Sequence, residues 1–235
     1  MDDHYLRWRD PDLIDKFNSK EASKFFPSEK KFLTQINGDI ASVLDIGCAS
    51  GRYIDLLRLY INKFQYTGID IVEQNIQIAR SKFPEHKFVA GNALDVKLKD
   101  KFDLVNATGV IQHEPKFQDL IRKMVDWSNK YIIFDLKLAN IEGYISDRQR
   151  AYTQYNSNRL YFIICSLQWL TDFLEGLPGI EKTFLYGYLT PTNKNVKLPS
   201  HVTKIISTGV LLEKGIGQVK NTYLELPMIH LGKQV

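Results

Sequence analysis

The chain places an acid, two glycines, a second acid and a histidine at intervals that can do chemistry. Residues 43–53, VLDIGCASGRY, start as an apolar run, break into small residues and resume at helical spacing through Ile54, Leu57 and Ile61. Gly47 and Gly51 let a backbone approach a ligand with no side chain in the way. A helix beginning just after them would offer free N–H groups to an anionic group. A plain tight turn would use glycines in the same way. Asp45 lies inside the apolar run, where a carboxylate is costly unless paired. It could accept bonds from the turn's N–H groups or face a cationic ligand group. Asp70 ends the next run, YTGIDI, and an acid there can bond both hydroxyls of a ribose. His113, in GVIQHEP, carries an imidazole whose ordinary pKa near ~6.5 suits proton abstraction at neutral pH; the alternative is that it only orders its loop. Asp135 closes a later apolar run and is a second candidate base, or a brace for the loop beside it.

Two well-known phosphate cradles are excluded by the same residues. A G-x-G-x-x-G dinucleotide fingerprint would need glycines at 49 and 52, where Ala49 and Arg52 stand, and no G-K-[ST] follows the turn. The elements that must position these groups alternate. Apolar runs at 43–46, 66–71, 87–90, 102–107 and 131–136 read as strands, and 53–61, 73–83 and 117–128 read as helices between them. Continuously apolar strands separated by helices indicate a parallel sheet covered on both faces. Ligands of such sheets sit at the carboxyl ends of the strands, so residues 47–51, Asp70 and His113 fall at one end. Further along, Ser166 caps a helix ended by Gly176, and 183–188 and 205–212 read as two closing strands. Between them, 190–201 reads as a long loop or an edge hairpin, and helices at 12–19 and 28–36 open the chain, with Pro11 and Pro27 at their starts.

With 235 residues, 44% of them hydrophobic and 25% charged, the chain suits one soluble globular domain, divided here into an N-terminal helical cap (1–40) and a main domain (41–235) with an insertion at about 141–165. The net charge of +4 is spread along the chain rather than gathered on one face, which disfavours nucleic acid as a partner. Cys48 and Cys165 form no CxxC pair, so neither a disulfide framework nor a zinc site is expected. The polar start MDDHYLRWRDPD is no signal peptide, and no apolar run reaches the ~18 residues that span a membrane. The expectation is a cytoplasmic protein, monomer or homodimer, with no membrane partner.

VLDIGCASG, YTGIDI, FVAGNALDV and FDLVNATGVIQHEP, in that order over residues 43–115, together resemble the successive motifs of class I S-adenosylmethionine-dependent methyltransferases. The resemblance implies a Rossmann-like α/β fold: a seven-stranded, mostly parallel sheet whose last strand is antiparallel, with helices on both faces. It implies S-adenosyl-L-methionine as cofactor. On that reading Asp45, Gly47, Ala49 and Gly51, with Cys48 in the same turn, line the methionine end. Asp70 holds the ribose and Ile71 packs on the adenine. Asn92, Ala93 and Leu94 meet the adenine edge, with Asn92 where the family more often has Asp, and Thr108 lies near the methionine. The sequences of residues 66–84 and 8–33 also resemble bacterial enzymes that decorate sugars or surface glycans.

A methyltransferase must align a nucleophile and, for an alcohol, remove its proton, a task worth about 10²–10⁴-fold for a general base. Residues 144–161, YISDRQRAYTQYNSNRLY, sit where the superfamily varies to fit its acceptor; Arg148, Tyr152 and Tyr155 could stack on and bond a polar ligand, or decorate an exposed helix. Tyr5, Trp8, Phe17, Phe25 and Phe26 form either a lid or the inner face of the cap helices. The chain lacks N-P-P-[YFW] and Pro-Cys, the marks of nucleic-acid enzymes, and Asp135 stands alone in sequence, so no metal is expected. The expected activity is methylation of a hydroxyl or amine on a small polar acceptor, sugar-related first, a natural product or peptide second; a non-catalytic nucleoside-binding module is the reading from another class.

Overall fold

The computed structural model describes residues 3–18, 25–36, 40–190, 193–216 and 220–227. Among the described residues thirteen strands run in chain order: β1 Ser42–Ile46, β2 Gln65–Asp70, β3 Lys87–Ala90, β4 Phe102–Ala107, β5 Ser128–Ala139, β6 Tyr144–Ile145, β7 Tyr152–Tyr155, β8 Asn158–Tyr161, β9 Ile164–Cys165, β10 Ile180–Tyr188, β11 Val196–Lys197, β12 Ile205–Lys214 and β13 Asn221–Glu225. The α-helices are α1 Asp3–Leu6, α2 Pro11–Asn18, α3 Pro27–Gln35, α4 Tyr53–Leu57, α5 Glu73–Lys82, α6 Phe117–Trp127 and α7 Leu167–Glu175, with 3-10 turns at Arg7–Arg9 and Ile111–His113.

The main sheet is ordered β3-β2-β1-β4-β5-β12-β10-β13. The first five strands are mutually parallel, and β12 runs antiparallel between β5 and β10. This is the mixed, mostly parallel α/β sheet expected from the motifs, enlarged by β13 along β10 and by short β9 and β6 beside β5. β1 and β4 are apolar because both of their faces are covered. One buried cluster joins α6 and α7 to the sheet through Ile121, Met124, Ile132 and Leu170; a second joins α3, α4 and α5 through Phe32, Ile54, Ile76 and Tyr66; a smaller third lies under the insertion at Ile145, Phe162 and Ile164.

Several local expectations shift. Ser166 does cap α7, accepting from the Trp169 amide at 3.1 Å, but Gly176 ends it in a right-handed conformation, φ −72°, so its freedom is not used there. The helix read over 53–61 is regular only to Leu57 and then tightens into turn bonds such as Tyr60 N to Leu57 O. The loop read over 190–201 contains β11, which joins β7 and β8 in a separate three-stranded sheet, whereas Pro191 lies outside the described residues, as does the C-terminal end of the helix read over 12–19. Among the described residues no helix is long and apolar enough to cross a membrane.

Candidate active site

The turn after β1 is shaped by backbone that only small residues tolerate. Gly47, Ala49 and Gly51 have φ of +70°, +46° and +80°. A Cβ at Gly47 would run into Val110 Cγ2, and one at Gly51 would press on the Phe83 and Phe88 rings. The turn's amides are largely spent inside the protein. Gly47 and Cys48 donate to Ile69 O at 2.7 and 3.1 Å, Gly51 donates to Cys48 O at 2.9 Å, and Ala49 donates to Asp70 Oδ2 at 2.9 Å.

Asp70 is the hub of this end. Its Oδ1 accepts from the Val72 amide at 2.8 Å and from Asn75 Nδ2 at 3.3 Å. Burial pushes its pKa up, and those three N–H donors pull it back. A carboxylate offers about four acceptor positions, so three bonds leave Oδ2 room for a ribose hydroxyl. Asn75 in turn accepts from Asn18 Nδ2 at 2.9 Å, which ties the acid to α2. Asn92 turns its Oδ1 onto the Leu94 amide at 2.9 Å.

A cavity enclosing about 900 Å³, mouth included, opens beside these groups. Gly47, Ala49, Asp70, Ile71, Asn75, Asn92 and Ala93 form its floor. Val110, His113, Glu114 and Leu120 form one wall, and His4, Tyr5, Trp8, Leu13, Ile14 and Phe17 form the roof. Leu13 and Ile14 are also buried, so α2 packs its apolar face into the very lid it makes. Tyr5 donates to Glu114 Oε1 at 2.9 Å and fastens α1 to the loop after β4.

His113 sits on the wall with its ring edge-on to Trp8, centroids 5.3 Å apart. Its Nδ1 is 2.6 Å from Tyr161 O, a carbonyl that can only accept, so Nδ1 carries the proton and Nε2 the lone pair. Gln112 Nε2 lies 3.2 Å from that lone pair. Burial lowers the His113 pKa to about 4, against the opposing pull of the Tyr161 carbonyl and Asp135. The ring is therefore neutral at physiological pH, an acceptor of low basicity whose Nε2 already meets the Gln112 amide.

Other expected site residues stand elsewhere. Asp135 is fully buried, accepts from the Gly109 amide at 2.5 Å and pairs with Lys137 Nζ at 3.2 Å; with both oxygens occupied and no place on the cavity wall, it braces the loop and is not a base. Asp45 lies beneath the turn, where Tyr66 OH donates to Oδ2 at 2.5 Å and Asn106 Nδ2 to Oδ1 at 2.7 Å, so it meets neither the turn's amides nor the cavity. Burial raises its pKa to about 6, and the Tyr66 and Asn106 bonds oppose the rise. Thr108 donates to Asn106 Oδ1 at 2.7 Å. Cys48, Gly51 and Leu94 pack into the protein behind the floor rather than lining it. Arg148, Tyr152 and Tyr155 belong to no helix and do not reach the cavity: Arg148 lies over the Tyr161 ring, Arg159 over Tyr152, and Lys16 of α2 over Tyr155 at 3.8 Å. Their hairpin instead grips the roof, with Asn156 Nδ2 donating to Asp12 Oδ2 and Asn158 Nδ2 to Asp10 Oδ2, each at 2.6 Å.

Asn75, Val110 and Leu120 were not among the expected site residues. Asn75 carried a signal: an amide in the first turn of the helix that follows Asp70 faces the same strand end. Among the described residues no group of three or more His, Cys, Asp and Glu side chains is arranged to hold a metal.

Residues 43–130 match the family model described as "Methyltransferase domain". That segment, about a third of the chain, is similar to methyltransferase domains and holds the motifs that resemble class I S-adenosylmethionine-dependent enzymes. The floor fits S-adenosylmethionine, the cofactor implied by the motifs and bound in solved relatives: Asp70 has an acceptor position left, Gly47 and Ala49 present bare backbone, and Ile71 is an apolar wall. A curated relative, trans-aconitate 2-methyltransferase of Enterobacter sp. (strain 638), is 24% identical over 163 residues, 68% of this chain. The chain spans 59% of the length of that relative. The magnesium protoporphyrin IX methyltransferase of Synechocystis PCC 6803, solved with bound SAM, shares the fold with a TM-score of 0.58 at 13% identity, covering 92% of this chain and 98% of that one. The N-methyltransferase NodS of Bradyrhizobium japonicum WM9 does so with a TM-score of 0.55 at 13% identity over 91% and 99%. The N-terminal domain of EvdMO1, solved in the presence of SAH and D-fucose, has a TM-score of 0.58 at 12% identity over 80% and 83%.

Proposed function

We propose that the protein transfers the methyl group of S-adenosylmethionine to an oxygen or nitrogen of a small polar acceptor, a sugar-related hydroxyl first. The observation that carries this reading is the cavity itself, on which Asp70, the glycine turn and a neutral histidine converge. Asp70, Asn92 and Ile71 hold the nucleoside, and Gly47 and Ala49 clear the path of the amino-acid portion. When bound, the cofactor supplies a methyl already activated by its sulfonium. The roof of Trp8, Ile14 and Phe17 excludes water, and alignment in a closed site is worth up to ~7–11 kcal/mol in well-oriented reactions.

For a hydroxyl acceptor the proton passes to His113 Nε2 once the Gln112 amide releases it, while the Tyr161 carbonyl keeps Nδ1–H in place. The D-fucose present with one structural relative supports this sugar reading. The second reading is a carboxylate acceptor, which has no proton to lose. It is favoured by the low basicity of His113 and the withdrawal of Asp135, and by the name of the trans-aconitate relative.

Purified protein with S-adenosylmethionine and panels of sugars, nucleotide sugars, amines and carboxylic acids, read by formation of S-adenosylhomocysteine, tests both. Turnover with the sugar panel that falls ~10²-fold in His113→Ala supports the first. Turnover confined to carboxylic acids and indifferent to His113→Ala supports the second. No turnover with any panel contradicts the small-acceptor reading.

A further inference from the structure

The acid at the end of β2 sets the direction of two amides that lead from the floor to the roof. An ionised Asp70 can only accept, so Asn75 has to turn its Nδ2 toward it, which it does at 3.3 Å. That orientation leaves Asn75 Oδ1 to take Asn18 Nδ2 of α2 at 2.9 Å. The next orientation follows from this one. Asn18 gives its nitrogen to Asn75, and its own Oδ1 is left over. This oxygen is buried and meets no donor among the described residues. Asn75 is 5% exposed and lines the cavity beside Asp70, while Asn18 follows Phe17 of the roof. The orphaned acceptor therefore belongs to a roof side chain that bonds a lining residue directly.

Buried acceptors are almost always satisfied, so one left over points to a donor that the protein alone does not supply. A nucleoside held at Asp70 brings two such donors, its ribose hydroxyls. Asp70 already accepts from Ala49, Val72 and Asn75, which fills three of its about four acceptor positions. One position remains for two hydroxyls. We infer that Asp70 Oδ2 takes one ribose hydroxyl and Asn18 Oδ1 takes the other, so that the ribose itself joins the roof to the floor. Asn75 is the positioning residue that aims both acceptors. The inference rests on the cofactor reading and adds to it a binding residue supplied by the roof.

The same bond gives the roof a reason to close. Without ribose, a closed roof buries Asn18 Oδ1 unpaired, whereas an open one gives it to water. With ribose, the bond exists only when the roof is closed. A ligand shifts a conformational equilibrium only through such a differential contact. The nucleoside thus latches its own lid.

Calorimetric titration of the intact protein with S-adenosylhomocysteine and with its 2′-deoxy and 3′-deoxy forms counts the hydroxyls that are read. Wild type should bind both deoxy forms more weakly. One should lose ~30-fold, where the bond to the Asp70 charge is missing, and the other about fivefold, where the bond to Asn18 is missing. Asn18→Ala should weaken S-adenosylhomocysteine about fivefold and leave that second deoxy form within about twofold of its wild-type affinity. In an Asn75→Ala background, Asn18→Ala should change little, because Asn18 is then no longer aimed. The deoxy forms act on wild-type protein, so the count stands even where a variant folds poorly. An affinity loss with only one deoxy form would remove this inference and leave the cofactor reading standing. Unchanged S-adenosylhomocysteine affinity in Asn18→Ala, or an Asn18→Ala loss of equal size for all three ligands, would also overturn it. Wild-type protein that binds none of the three would remove the cofactor reading and this inference with it.

Discussion

At the floor of the cavity the bonds are short in sequence: Val72 reaches Asp70 across two residues and Ala49 across 21. At the roof they are long: Tyr5 to Glu114 spans 109 residues, Asn156 to Asp12 spans 144, and Asn158 to Asp10 spans 148. The floor is built on strands with parallel neighbours on both sides and is shaped before any ligand arrives. The roof is a four-residue and an eight-residue helix held by a few polar contacts, of which the Asn156–Asp12 bond is solvent-exposed. Local opening is cheapest where buried apolar contacts are few. On the proposed function, the floor is expected to fix what binds and the roof to set when it enters and leaves.

The sharpest way to break the floor is Gly47→Val. Its φ of +70° and the collision with Val110 make a side chain untenable. Loss of S-adenosylhomocysteine binding by more than ~10²-fold is expected, with destabilisation of ~2–4 kcal/mol; near-normal binding would mean that the turn is not the floor. His113→Ala tests the wall between the two regions. It should lower turnover with a hydroxyl acceptor by ~10²-fold and change S-adenosylhomocysteine affinity less than about threefold. The depressed His113 pKa also sets a sign for stability. Between the ordinary value of 6.5 and about 4, the unfolded chain takes up a proton that the folded one refuses. This stability is complete above pH 6.5 and drains as the pH falls toward about 4. Thermal unfolding of His113→Ala should show a shallower acid slope than wild type; parallel slopes would mean that His113 is not buried as described.

The roof is tested by smaller effects. Trp8→Ala removes the ring over His113 and should speed release of S-adenosylhomocysteine about tenfold in stopped flow, with little change in association. Asn156→Ala combined with Asn158→Ala should speed release about threefold and move the melting temperature by no more than ~2 °C, because bonds at the surface contribute little. If the pair slows release, the hairpin is not a latch.

The same contrast explains what was legible. Apolar runs named the strand ends, and Gly47 and Asp70 were legible because their neighbours in sequence are their neighbours in space. Asp135 misled because an isolated acid at the end of a strand looks available. Lys137, two residues on and therefore on the same face of β5, already holds it. Arg148, Tyr152 and Tyr155 misled in another way. Asn156, at φ +49°, folds their segment into a hairpin whose partners, Asp10 and Asp12, lie at the other end of the chain. No period within residues 144–161 can reveal contacts made that far away.

The most direct test of the central claim is calorimetric titration of S-adenosylhomocysteine into wild-type protein and Asp70→Ala. The account predicts binding in the micromolar range for wild type, with a fall of ~30-fold or more in the variant, because a hydrogen bond to a charged group is worth ~1.5–3 kcal/mol and the turn it braces would also loosen. Wild-type protein that does not bind, or equal affinity in both proteins, would contradict it.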